Sequence, residues 1–422
     1  MADAGRKPHK PMDRRNNFYS SSSSSYSNST KYRNSNYPKP SVSSRDSSWI
    51  TPTKKSTTRN WDSDDGRRND NDDGHQDYPT LVGTCPFMCP AEERARRERL
   101  RDLAVFERLH GNPAKTSPNL AVKKFCRTIS IKDVQASDVR PVPVLEDTLN
   151  YLLNLLHSSD QSFAVVHDFI FDRTRSIRQD LSMQNAVSDQ VIHMYERMVK
   201  FHIISHRHLY RSFGNPNVAS VCHLNMEQLM KALTTLSNLY EANRASHSMC
   251  QNEAEFSSFY LLLHLGSDKQ VEPLSLWFRS IPSPIMKSKE MCFARRLLRY
   301  YRLGNYKRFI STSEREASFL QYCIIEPYVN EVRMLALSCL SYGGYKLQPY
   351  PLLHLSKLLM MKESDVESLC ADCALETSSD GTGKGLVATK QSVIKKSSGG
   401  FQKYYPMESE RIERLCTELP EL

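Results

Sequence analysis

The sequence predicts an all-α chain: a helical-hairpin solenoid, closed at its C-terminal end by a small helix, helix, hairpin unit and preceded by a disordered tail. Three observations carry this. Apolar residues recur at three- and four-residue steps from Leu145 to Phe278, the period of helices with one buried face. Short polar stops separate the runs, at Ser158-Ser159-Asp160, Gly214-Asn215-Pro216 and Gly266-Ser267, so consecutive helices are expected to pack as antiparallel neighbours. Ahead of residue 81 the chain is rich in Ser, Asn, Asp and basic residues and includes the run Ser20–Ser25. Such a composition buries too little apolar surface to offset chain entropy.

Taken in order, residues 1–80 form the tail, with twelve Lys+Arg against three Asp in 1–59 and seven Asp against two Arg in 61–77. It reads as a solvated segment in both halves. Residues 81–135 open on Cys85-Pro86-Phe87-Met88-Cys89-Pro90, followed by a charged run from Glu92 to Arg99. Pro90 suits a first helical turn and Glu92 and Glu93 suit its positive end, so a helix is expected to run to His110 and stop at Gly111-Asn112-Pro113. Leu100, Leu103, Val105, Phe106 and Leu109 would be its apolar side. Six arginines against five acids between Glu92 and Arg108 would pair along a solvated outer face.

Residues 136–340 are the solenoid, introduced by Val139-Arg140-Pro141-Val142-Pro143, where both prolines impose extended geometry on their predecessors. Helical spacing follows in Leu145–Leu156, Phe163–Phe171, Val187–Ile204, Leu229–Leu239, Phe256–Leu265 and Leu274–Phe278. Residues 341–406 form the closing unit. Leu352, Leu355 and Leu359 mark one short helix, Val366, Leu369 and Cys370 a second, and strand-compatible segments flank the glycines of 381–385. This is winged-helix order. Residues 407–422 remain as a short C-terminal tail.

Several separated blocks resemble the suppressor-of-actin and germinal-centre-associated nuclear protein (GANP) family. They are Gly83 through Phe106, Asp138-Val139-Arg140-Pro141, Asp172-Arg173-Thr174-Arg175-Ser176-Ile177-Arg178-Gln179-Asp180, Arg197 to His202 and Asn252-Glu253-Ala254-Glu255-Phe256. The resemblance covers roughly residues 81 to 405 and implies a tetratricopeptide-like solenoid capped by a PCI-type winged helix. It also implies a messenger RNA export scaffold of a TREX-type complex, located in the nucleus or at the nuclear pore. Its expected partners are a PCI-domain protein subunit and, through that subunit, a small acidic subunit; Tyr328, Val332 and Leu335 are candidate contacts. The chain carries no phenylalanine-glycine repeats before the domain and no long segment after it. It is therefore expected to be a short member, and a centrosome- or spindle-associated scaffold and a PCI-type structural subunit without RNA contact stay open as alternatives.

Candidate chemistry follows charge. The 422 residues carry a net charge of +10, which draws a protein toward polyanions. From Phe293 to Phe309 six basic residues occur with no acid, and Arg295, Arg299 and Arg302 share one helical face, with Lys307 and Arg308 beyond. Tyr300, Tyr301 and Tyr306 interleave, so the stretch reads either as a single-stranded RNA surface or as a solvated face over core tyrosines. A second basic set, Lys384, Lys390, Lys395, Lys396 and Lys403, lies on the expected wing. The Asp172 to Asp180 block reads as an internal clamp of ion pairs. The spacings of Cys85/Cys89 and Cys370/Cys373 nearly suit zinc, but the second pair falls within an expected helix, the pairs lie almost 300 residues apart and neither sits in a glycine-bearing knuckle, while His202 and His206 share a helical face without a third ligand; the eleven cysteines are expected to be unbridged. No catalytic motif appears, and neither enzyme activity, cofactor, metal nor membrane insertion is expected.

Overall fold

The structure, a computed structural model, describes residues 81–128, 134–212, 216–245, 250–266, 274–343, 348–380, 383–388 and 405–417. The tail 1–80 lies outside these residues. Among them the chain is all-α apart from one small sheet, with fourteen α-helices. No helix of the described residues is long and apolar enough to cross a membrane.

The first helix is shorter than the charge pattern suggests. α1 spans Ala91–Leu100 and ends at Arg101, whose φ of 54° turns the chain into the left-handed region. Pro90 stands just outside it as the N-cap, with Glu92 and Glu93 in the first turn. The helix stops early because Arg97 is not a surface residue. Arg97 is 2% exposed and Glu107 is fully buried, and the chain doubles back through 3-10 turns so that Glu107 reaches Arg97. Leu100 and Val105, expected on the apolar side, are instead exposed, while Leu103 is buried.

The core is built by α2 (Val142–Ser158), α3 (Phe163–Met183), α4 (Asp189–Arg211), α5 (Pro216–Ala245), α6 (Glu253–Leu263), α7 (Leu274–Ser280), α8 (Ser283–Lys287), α9 (Lys289–Arg302), α10 (Tyr306–Glu316) and α11 (Phe319–Gly343). Consecutive pairs pack as expected, α2 on α3 and α4 on α5, but α6 packs on α9 and α11 crosses both α4 and α6. The stack is thus tied across non-adjacent members. α11 carries Pro327 inside a largely buried helix, where the ring removes one helical hydrogen bond.

The opening motif is fastened to this core by two buried charge clusters. Asp180, fully buried, accepts from Lys123 Nζ at 2.6 Å and from Arg140 Nε at 2.7 Å. Arg140 also donates to Met88 O at 3.2 Å and Ser176 Oγ at 2.8 Å. In the second cluster Glu107 accepts from Arg97, from Arg173 Nη2 at 3.1 Å and from the Val122 amide at 3.0 Å. Burial pushes the Glu107 carboxyl up, but Arg173 and Arg97 together outweigh it and hold it below the usual carboxylate range. Within the Asp172 to Asp180 block, Asp172, Arg173 and Asp180 make the ion pairs expected of a clamp, whereas Arg175 lies over the Phe125 ring and Arg178 donates to Gln228. Gly83 passes so close to the Val139–Arg140 backbone that a Cβ there would lie 2.6 Å from the Val139 carbonyl oxygen.

His202 is fully buried and His206 half-buried. Asn225 accepts from His202 Nδ1 at 2.8 Å and donates to the His202 carbonyl at 2.9 Å. Burial pulls His202 down to about 3 and His206 to about 4, and also lowers His167. Unfolded, each imidazole takes a proton near pH 6.5. The unfolded chain therefore binds protons first as pH falls, so stability is fully present above about 6.5 and lost toward the folded values. We expect the melting temperature to drop from about pH 7.5 to about 5.5, above the carboxylate range; a flat thermal-melt profile across that interval is the contrary result.

Candidate nucleic-acid and partner interface

α9 and α10 present the basic stretch as the periodicity requires. Ser288 caps α9 by accepting from the Met291 amide at 3.2 Å, and Met291, Phe293, Ala294, Leu297 and Leu298 turn inward. This leaves Arg295, Arg296, Arg299 and Arg302 exposed on the other side. Gly304, with φ +63°, reverses the chain, a conformation that favours glycine. Asn305 then caps α10, its Oδ1 accepting from the Arg308 amide at 3.1 Å. Lys307 and Arg308 are exposed in the first turn of α10.

Of these six basic residues, Arg296 pairs with Glu316. Arg295, Arg299, Arg302, Lys307 and Arg308 remain as an exposed cationic face. The tyrosines resolve toward the core. Tyr301 donates to Glu331 Oε2 at 2.8 Å and packs edge-on against Tyr328, ring centroids 5.7 Å apart. Tyr300 and Tyr306 are half-buried against the hydrophobic core. The face thus offers phosphate-binding charge rather than free stacking platforms.

The closing unit consists of β1 (Tyr350–Pro351), α12 (Leu352–Leu359), α13 (Glu363–Asp372), β2 (Thr377–Asp380) and β3 (Gly383–Leu386), its three strands antiparallel in the order β1-β3-β2. A Cβ at Gly385 would meet Pro349 Cβ at 2.6 Å, so this pass needs glycine. Lys384 on β3 is exposed and pairs with Glu367 of α13 at 2.8 Å. The hairpin's nearest charge is thus partly neutralised. Lys390, Lys395, Lys396 and Lys403 lie outside the described residues.

Arg333 of α11 joins this unit to the solenoid, a role the sequence reading missed. Fully buried, it donates from Nε to Leu359 O at 3.1 Å, from Nη1 to Tyr405 O at 2.8 Å and Asn330 Oδ1 at 3.1 Å, and from Nη2 to Met360 O at 2.8 Å and Pro406 O at 3.2 Å. Beyond it, α14 (Glu410–Thr417) packs back on α10. Arg411 of this helix donates to Ala317 O at 2.7 Å and to Glu314 O.

Of the expected partner contacts, Val332 is buried at 3% exposure, whereas Tyr328 is half-buried with its hydroxyl 3.4 Å from the Leu263 carbonyl oxygen. Leu335 is 39% exposed. It adjoins the α9–α10 turn, since a Cβ on Gly304 would lie 3.4 Å from Leu335 Cδ2. Leu303 in that turn, Tyr342 on α11 and Leu353 on α12 are also exposed.

The cysteines of both pairs are buried. Cys85 Sγ donates to Phe87 O at 3.2 Å, and burial pushes Cys89 and Cys370 up to about 12 and Cys373 to about 11. All eleven cysteines are free, and among the described residues no group of three or more His, Cys, Asp or Glu is placed to hold a metal ion.

Comparison with known proteins finds a match to the SAC3/GANP family over residues 88–379. SAC3 family protein B of Arabidopsis thaliana is 36% identical over 303 residues, covering 70% of this chain and 18% of the relative. SAC3 family protein 1 of Schizosaccharomyces pombe is 31% identical over 62% of this chain and 26% of its own length. Protein xmas of Drosophila melanogaster is 28% identical over 60% and 12% respectively. The chain therefore spans only a minor part of each of these curated relatives.

Proposed function

The chain belongs to the SAC3/GANP family, and we propose that it acts as a non-catalytic scaffold subunit of a TREX-type transcription-and-export complex. In this role it binds RNA and a PCI-domain partner, itself held by a small acidic subunit, and couples messenger ribonucleoprotein to export through the nuclear pore. The strand, helix, helix, hairpin unit is read as the PCI-type winged helix. The observation that carries the proposal is the exposed face of Arg295, Arg299, Arg302, Lys307 and Arg308, on helices tied to that unit. Fixed cations at this density bind a phosphate backbone without reading its sequence. Leu335, beside the α9–α10 turn, is the proposed apolar partner contact, with buried Val332 and half-buried Tyr328 on the same helix.

Changing Arg295, Arg299 and Arg302 together to Glu is expected to weaken single-stranded RNA binding at least about tenfold and to flatten its salt slope by roughly 2. Fluorescence anisotropy over a salt series checks both. In parallel, affinity purification with mass spectrometry should recover a PCI-domain protein together with export factors. Recovery of centrosomal proteins alone moves the protein to the spindle-associated scaffolds, and unchanged RNA affinity in the triple variant removes this face from the reading.

A further inference from the structure

The arginines of the opening segment do not pair along a ladder. Four of the five acids between Glu92 and Arg108 are engaged elsewhere. Glu93 accepts from the Lys124 amide and Glu98 from the Thr116 amide, both at 2.8 Å. Asp102 pairs with Lys124 at 2.9 Å, and Glu107 is buried against Arg97. Among the described residues, Arg96, Arg99, Arg101 and Arg108 are therefore left without a carboxylate partner; the Arg108 Nε donates only to the Leu103 carbonyl, at 3.1 Å.

Two of these four arginines share a cavity. Arg101 and Arg108 line a groove of about 700 Å³ between residues 101–108 and the first half of α3, a size that takes a short segment of chain. Val105 on one side and Val165 on the other are both exposed, with buried Leu103 and Phe169 also in the lining. Of the groove's acids, Asp102 pairs with Lys124 and Asp172 with Arg173. Asp168, exposed on α3, has no ion-pair partner among the described residues. The groove thus combines free cations on the 101–108 side, exposed valines and one free acceptor on α3.

We propose that this groove docks an extended peptide of a partner protein in which acidic and aliphatic side chains alternate. An extended chain sends successive side chains to opposite sides, so carboxylates reach Arg101 and Arg108, whose guanidinium forks match them, while the aliphatic residues cover Val105 and Val165. Asp168 accepts a peptide N–H, a donor that a phosphodiester does not offer. Nor is a ring open to a base: Phe106 and Phe169 pack together, centroids 5.0 Å apart, and the Arg173 guanidinium lies 4.8 Å from the Phe169 centroid. The chain's own acidic stretch, 61–77, contains no aliphatic residue, so the occupant comes from another protein. The groove shares no residue with the cationic face on α9 and α10.

The probe is a short fluorescein-labelled peptide of alternating glutamate and leucine, titrated into the full chain and followed by anisotropy. Saturable binding is expected, with glutamate/serine and lysine/leucine peptides of the same length bound at least about tenfold more weakly. Arg101→Glu with Arg108→Glu, and separately Val165→Asp, should each weaken the glutamate/leucine peptide about tenfold. Val165 lies in the first turn of α3, where an acid is favourable, so the melting temperature of that variant should hold and its loss of affinity is a loss of contact. Arg96→Glu with Arg99→Glu makes the same charge change outside the groove and should leave affinity within about twofold. Absence of saturable binding overturns the proposal, as does unchanged affinity in Val165→Asp or an equal loss in the Arg96 and Arg99 variant. Single-stranded RNA should bind wild type and the Arg101 and Arg108 variant within about threefold of each other; a tenfold loss of RNA affinity there, with no peptide binding to wild type, assigns the groove to RNA instead and overturns the peptide site.

Discussion

Replacing Arg333 with Ala is expected to destabilise the protein by about 3–5 kcal/mol and to loosen the closing unit from the helical stack. The side chain is fully buried, and its five hydrogen bonds reach α11, the end of α12 and the returning segment at Tyr405 and Pro406. Truncation strands the carbonyls of Leu359, Tyr405 and Pro406, while Met360 O keeps the Glu408 amide at 2.9 Å, and an unmet buried acceptor costs about 1–3 kcal/mol. Met360, at φ 49°, ends α12 where Arg333 takes up its carbonyls. Lys should not rescue the loss, since one ammonium cannot reach carbonyls arranged around a planar fork. Urea unfolding gives the magnitude, and hydrogen exchange should show selective deprotection of residues 352–360. A loss below about 1 kcal/mol would contradict the assignment.

Asp180→Asn should cost a similar amount, about 3–5 kcal/mol. The substitution keeps the volume but leaves Lys123 and Arg140, at 3% and 0% exposure, without their shared counter-charge. Because Arg140 also holds Met88 and Lys123 also holds the Asp138 carbonyl, the damage should centre on the opening motif. Limited proteolysis would then cut first within residues 81–128. Adding Lys123→Met to Asp180→Asn should recover part of the loss, since the two sites share one interaction. Equal stability of wild type and the single variant would show that the pairing contributes nothing.

Local pattern carried much of the fold. The leucine spacing of α2 and the order of α12, α13 and the hairpin follow from period and stop signals, which depend on neighbours a few residues away. The opening segment did not yield to the same reading. Arg97 and Glu107 look like members of a solvated charge ladder because their other partners, Val122 and Arg173, lie 25 and 66 residues from Arg97 and Glu107 respectively. Arg333 was illegible for the same reason, its acceptors being mainly backbone carbonyls that no side-chain pattern reports. At the basic stretch, Arg295, Arg299 and Arg302 were read correctly as one exposed face. Their tyrosines were undecidable until Tyr301 was seen to meet Glu331 and Tyr328.

The return of α14 to α10 sets an order of assembly during synthesis. The last carbonyls of α10 wait for Arg411, and Arg207 of α4 waits for Cys416, 209 residues later, to which its Nη2 donates at 2.6 Å. A ribosome delivers the helices bearing the cationic face about a hundred residues before it delivers the helix that caps them, at a rate of about 5–20 residues per second. For several seconds the nascent chain therefore displays those arginines on a support that still lacks α14.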